Sequence, residues 1–181
     1  MSVNKYLPHV YVLPEDDANR QLATGFQLGD LSDFRQMQVL NVAGGWQEVV
    51  KCFQEEHAPG MDRNTNRFIV LLIDFDEQEN RLISVKMGVP EHLRERVFVL
   101  GVWSEPEKLR PHFGSDYEKI GMAMAKDCHD NTEVIWGHEL LLRNADESTP
   151  KIAELPFIYF NHTQIKLGER AIANAQAHLR S

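Results

Sequence analysis

Short, fully apolar runs alternate along this chain with longer stretches in which apolar residues recur at helical spacing. Phe68 to Ile73 is an unbroken apolar run rich in β-branched residues, closed by Asp74-Phe75-Asp76. Its length and polar flanks predict a strand buried on both faces, as in the middle of a parallel sheet. His9 to Leu13, Met37 to Val42 and Arg96 to Trp103 read as three more strands.

Helical spacing fills the gaps. Ala18, Leu22, Ala23 and Phe26 share one face, as do Trp46, Val49, Val50 and Phe53. A third helix is expected within Glu77 to Val89, stopped by Gly88 and Pro90. His57 to Asn66, with Pro59 and Gly60, reads as a polar connection. Ser115-x-x-Glu118 is a capping-box pattern ahead of a helix carrying Tyr117, Ile120, Gly121, Met124 and Cys128. Thr132 is expected to cap a further helix with Ile135, Trp136 and Leu140. Pro156 to Phe160 reads as a short strand, and Gln164 to Leu179 as a closing amphipathic helix.

The order β-α-β-α-β-α-β-α followed by helices predicts an α/β fold: a mainly parallel central sheet with helices on both faces and extra C-terminal helices. The 181 residues suffice for one real core. Residues 1–145 are expected to form that α/β domain. Residues 146–181 are expected to supply a linker and a C-terminal helix packed on it.

Charge narrows the function. A formal net charge of −8 argues against a free-standing nucleic-acid binder with a broad basic face, yet leaves room for a metal-dependent enzyme that acts on phosphates. Cys52 and Cys128 make neither a disulfide framework nor a zinc site, and read as small buried thiols of a reducing cytosol. His138-Glu139 and His162 lack a metal-binding spacing and read as surface or satisfied core residues. No apolar run reaches the ~18 residues of a membrane span, so a cytoplasmic protein without a membrane partner is expected.

Candidate chemistry gathers at the strand ends. Asp74 and Asp76 fall on one face of any extended continuation, where two carboxylates repel unless a cation, a proton or a basic side chain lies between them. A hard divalent cation answers that need; a strand end and a cap for the next helix answer it without chemistry. Glu15-Asp16-Asp17 follow the first strand, where acids also suit a helix N-terminus. Gly44-Gly45 after the second strand permits a tight turn and close approach of another backbone; without the Gly-Lys-Ser/Thr of a P-loop it reads more often as a turn than as a ligand cradle, and stands as a candidate substrate-binding position. Ser104-Glu105-Pro106-Glu107 follows the fourth strand and reads equally as a capping box.

A first strand ending in an acid, a strand ending in Gly-Gly and a hydrophobic strand ending in D-x-D together resemble the TOPRIM domain over about residues 9–110. That fold is shared by topoisomerases, bacterial primases and overcoming-lysogenization-defect nucleases. The resemblance implies Mg²⁺-dependent, or Mn²⁺-dependent, phosphodiester cleavage of nucleic acid. Glu15, Asp74 and Asp76 would then be the catalytic metal ligands, Glu105 or Glu107 would hold a second ion, and the ions would polarise a phosphoryl oxygen and activate a water. The first motif departs from the family's usual Glu-Gly, since Pro14 precedes Glu15 and Asp16 follows it. The chain also resembles small uncharacterised bacterial proteins with Glu-Asp-x-x-Asn-Arg, Gly-Gly-Trp and Leu-Ile-Asp-Phe-Asp motifs, a similarity that carries no activity. Given the acidic balance, a basic partner protein or an oligomer is expected to supply positive charge for nucleic acid.

Two other readings stand beside this one. The run Glu15-Asp16-Asp17 resembles the acidic pair of a receiver domain, with Asp74 as phosphoacceptor and Ser104 as the hydroxyl after the fourth strand; the Lys-Pro expected of a receiver does not occur. The third is a catalytically inactive α/β interaction protein.

Overall fold

The computed structural model describes residues 3–29, 36–130 and 132–145. The strand at Pro156 to Phe160 and the helix at Gln164 to Leu179 lie outside the described residues. Four parallel strands form one sheet: β1 (His9–Pro14), β2 (Met37–Val39), β3 (Arg67–Asp74) and β4 (Val97–Val102), in the spatial order β2-β1-β3-β4. β1 and β4 are buried along their whole length, and β3 over most of it, as strands covered on both faces must be.

The order of strands explains where the helices lie. The crossover from β1 to β2 runs one way along the sheet and carries α1 (Asp17–Leu28). The crossover from β2 to β3 runs the other way, and β4 continues in that direction. Right-handed crossovers of opposite direction lay their helices on opposite faces. Accordingly α1 and α6 (Tyr117–Asp130) pack on Val10, Val12, Val70, Leu100 and Val102. On the other face α2 (Trp46–Cys52), α3 (Ala58–Arg63) and α4 (Glu79–Met87) cover Leu13, Ile69, Leu71, Ile73 and Val99.

Several local expectations change. The helix after Gly45 does not stop before Pro59: a π turn, Phe53–His57, joins α2 to α3. Pro59 is accommodated in the first turn of α3, where its missing N–H costs nothing. Thr132 caps no further helix. Its hydroxyl donates to Asp127, whose carboxylate also accepts the backbone N–H groups of Val134, Ile135 and Trp136 and so folds this segment into turns. Two short helical pieces appear before α6, a 3₁₀ turn at Pro106–Leu109 and α5 (Arg110–Phe113). α6 itself is opened by Asp116, which accepts from the backbone of Glu118 at 3.0 Å, rather than by Ser115.

Among the described residues β4 lies at the edge of the sheet, and the outer side of its Gly101 is paired by a side chain. Asn144 accepts from Gly101 N–H and donates to Gly101 C=O, both at 2.8 Å. Trp103 N–H donates to Leu140 C=O at 2.7 Å. Among the described residues no helix is long and apolar enough to cross a membrane.

Candidate metal and phosphate site

Strand order also fixes where a ligand site belongs. The chain leaves β1 for one face of the sheet and leaves β3 for the other, so a crevice opens between their carboxyl ends. Ligands of open α/β sheets sit at such switch points.

Glu15 emerges from β1 into this crevice. Its backbone remains within the ladder, donating to Leu72 C=O at 2.8 Å and accepting from Gly44 N–H at 2.8 Å. The preceding Pro14 therefore does not end the ladder, since its C=O still accepts from Ala43 N–H at 3.0 Å. The Glu15 carboxylate accepts from the backbone N–H of Asp74 at 2.9 Å, which ties the end of β1 to the end of β3. Burial pushes the Glu15 carboxyl upward, and the charges of Asp16 and Asp76 act in the same direction.

Asp74 ends β3 and is 9 % exposed. Burial raises its pKa to about 7, with Asp16, Glu15 and Asp76 adding to the rise and a hydrogen bond from Asn19 opposing it. That bond, Asn19 Nδ2 to Asp74 Oδ1, is 2.9 Å long and joins α1 to β3. Asn19 is held in turn by Asp16, the N-cap of α1, whose Oδ1 accepts from Asn19 N–H at 2.8 Å and from Nδ2 at 3.1 Å. Asn19 is fully buried, and its Oδ1 has no hydrogen-bond partner. Asp17 stands outside this network, exposed and paired with Arg20 at 2.6 Å.

Asp76 is not on an extended continuation of β3. Asp76 and Glu77 have φ of 46° and 57°, two consecutive left-handed residues that swing the chain off the sheet. Such residues cost about 1–2 kcal/mol each without glycine. The turn is held by Glu77 N–H donating to Trp103 C=O at 2.7 Å and Gln78 N–H to Phe75 C=O at 2.8 Å. It delivers α4 so that Arg81 reaches back, donating to Asp74 C=O at 2.8 Å and to the Asp76 carboxylate at 2.5 Å. The guanidinium also lies over the Trp46 ring, 5.7 Å from its centroid, and its buried Nε has no partner.

The sequence-expected residues therefore divide. Glu15 meets the backbone of Asp74, and Asp16 and Asp76 lie within electrostatic reach of both. Among the described residues, however, no three of these carboxylates have their oxygens within 4.8 Å of one another, and Asp76 is paired with Arg81. Glu105 and Glu107 do not join them: both are exposed, at the 3₁₀ turn that follows β4. Gly44 and Gly45 flank the end of β1 with φ of 95° and 152°, and Gly45 opens α2. Ser104 forms no capping box; it is 6 % exposed, and its Oγ has no partner. Val102 pairs with Asp74, so Ser104 lies two residues beyond it at the carboxyl end of β4.

Asn19 was legible only as part of the Glu-Asp-x-x-Asn-Arg motif, because its role depends on α1 packing beside β3. Arg81 was legible only as one of several basic residues, because the left-handed turn that aims it has no glycine to announce it. No protein-family model, curated protein or solved structure matches this chain.

Proposed function

We propose that this chain is a Mg²⁺-dependent, or Mn²⁺-dependent, nuclease-like domain that cleaves phosphodiester bonds in nucleic acid. The observation that carries the reading is the meeting of Glu15 and Asp74 at the β1/β3 switch point, where Asp16 and Asp76 add charge and Arg81 binds Asp76. The donors are all oxygen, as a hard divalent cation requires, and the partnerless buried Oδ1 of Asn19 is a further oxygen of the same kind. Glu15, Asp74 and Asp76 would hold the ion. When bound, it would polarise a phosphoryl oxygen and lower the pKa of a water.

The chain's own groups divide the remaining work. Asn19 fixes the orientation of Asp74 through one hydrogen bond and is itself fixed by Asp16. Arg81, anchored on Asp74 C=O and Asp76, places a guanidinium charge beside the crevice, which favours an anionic phosphate there. Trp46 and the Gly44-Gly45 turn border the crevice on the β2 side, leaving space for substrate at the glycines, where an added Cβ would meet nothing within 4 Å. The net charge of −8 leaves a basic partner or an oligomer to supply the wider phosphate contacts.

The test is incubation of the purified chain with end-labelled single-stranded and duplex DNA and RNA, in Mg²⁺ and in Mn²⁺. Metal-dependent cleavage that Asp74→Asn abolishes is expected. Cleavage equal in wild type and Asp74→Asn would overturn the assignment.

The buried, partnerless Ser104 hydroxyl favours a second reading, a receiver-like domain phosphorylated on Asp74, for which strand order β2-β1-β3-β4 is also suitable. A gain of one phosphoryl group at Asp74, after incubation with a small phosphodonor and Mg²⁺, would select it over cleavage.

A further inference from the structure

The π turn at Phe53–His57 creates a second cluster of ligating side chains, away from the carboxylates. In a continuous α-helix, positions 52 and 57 would stand about 140° apart around the axis and could not share a ligand. Here the N–H of Ala58 bonds the C=O of Phe53, five residues back, and the wider turn turns each residue through a smaller angle. Cys52, Glu56 and His57 consequently share a face, with Sγ, a carboxylate oxygen and an imidazole nitrogen all within 4.8 Å of one another. π turns interrupt helices rarely, and frequently at functional sites.

The chemistry of the three groups agrees. Thiolate and imidazole are donors for borderline and soft cations, whereas the crevice at β1 and β3 offers oxygen alone. Burial holds the His57 imidazole below its ordinary pKa, so that its neutral, ligating form prevails near pH 7. The His57 ring is seated edge-on against Tyr11, 6.2 Å between centroids, which limits its rotation. Burial and the nearby charges of Glu56, Glu55 and Glu48 push the Cys52 thiol upward, so a cation bound there would have to displace its proton. Tetrahedral Zn²⁺ needs ligand atoms roughly 3.5 Å apart, a spacing that the exposed Glu56 side chain is free to approach.

We infer that Cys52, Glu56 and His57 form a binding site for a Zn²⁺-class transition metal, with three protein ligands and a fourth position open to solvent. This revises the expectation that Cys52 is a bystander thiol. The site lies on α2 and its π turn, about 9–16 Å of helix from Trp46 at the crevice.

Cobalt(II) titration of the full chain under reducing conditions tests the inference, because thiolate ligation gives Co²⁺ a near-ultraviolet charge-transfer band that oxygen ligands do not. The band should appear at one Co²⁺ per chain, disappear on addition of Zn²⁺, and persist in Cys128→Ser and Asp74→Asn. Cys52→Ser should abolish it. Glu56→Gln, at an exposed position that leaves folding intact, should weaken Co²⁺ binding about tenfold or more. Absence of the band in wild type, or its survival in Cys52→Ser, would overturn the site.

Discussion

Asp74 is the residue on which the proposed chemistry and the stability of this protein meet. Its carboxyl is pushed up to about 7 by burial, so the native state retains a proton that the unfolded chain releases near pH 4. Between those values the native state binds more protons than the unfolded one, and stability falls as pH rises through that window. The penalty is fully present above about pH 7. Asp74→Asn retains an oxygen to accept from Asn19 and carries no charge. It should therefore be more stable than wild type at pH 8, on the order of a few kcal/mol, with the advantage vanishing toward pH 4. Thermal denaturation of both proteins across that range checks this; an Asp74→Asn variant less stable at every pH would refute it. Arg81 should behave differently. Arg81→Ala leaves Asp76 unpaired and Asp74 C=O without its donor, so it should destabilise by about 1–3 kcal/mol in denaturant titrations. Asp74 was legible in the sequence because an acid closing a buried apolar run is conspicuous. The tie of Asp16 and Asn19 to Asp74 was not, because their hydrogen bonds connect a cap, a helix and a strand that sequence spacing does not relate.

At the scale of elements, periodicity located all four strands and α1, α2 and α6, since burial on two faces or on one stripe leaves a direct mark on the sequence. It failed where side-chain hydrogen bonding decides the outcome. Ser104-x-x-Glu107 has the form of a capping box, yet Ser104 is buried at a strand end and caps nothing. Thr132 serves Asp127 rather than a helix. The edge of β4 is closed in the same manner, by one amide. Asn144→Ala removes two buried hydrogen bonds from Gly101 and should cost about 2–4 kcal/mol, read as a shift in denaturation midpoint with unchanged m-value. α1 and α6 approach so closely that a Cβ at Gly121 would lie 2.1 Å from Leu22 C=O. Gly121→Ala should therefore destabilise by about 1–3 kcal/mol through displacement of the two helices, although alanine is the better helix former. A neutral effect would show that the helix pair yields more readily than this packing implies.

For the whole molecule, the strand order is what brings Glu15 and Asp74 to one crevice. The reversal of direction at β1 opens a crevice at its carboxyl end, and β3, its neighbour, ends there in Asp74. The sequence carried the two strand ends but not the distance between them, which depends on β3 rather than β2 receiving the side chain of Glu15. Glu105 and Glu107 end outside the cluster because the chain turns after β4 into a 3₁₀ helix that leaves both exposed. An excess of acids persists across the chain, with a net charge of −8. The isolated protein should consequently bind duplex or single-stranded nucleic acid weakly at moderate salt, even with Mg²⁺ present. A salt-dependent binding titration checks this, and tight binding by a monomer would contradict it. The central claim, that Glu15, Asp74 and Asp76 hold a hard divalent cation, is tested most directly by calorimetric titration of Mg²⁺ into wild type and Asp74→Asn at pH 8, a cation that thiolate and imidazole ligands do not favour. Saturable binding to wild type, lost or weakened at least about tenfold in Asp74→Asn, is the predicted result. Identical heats from the two proteins, or none from wild type, would contradict it.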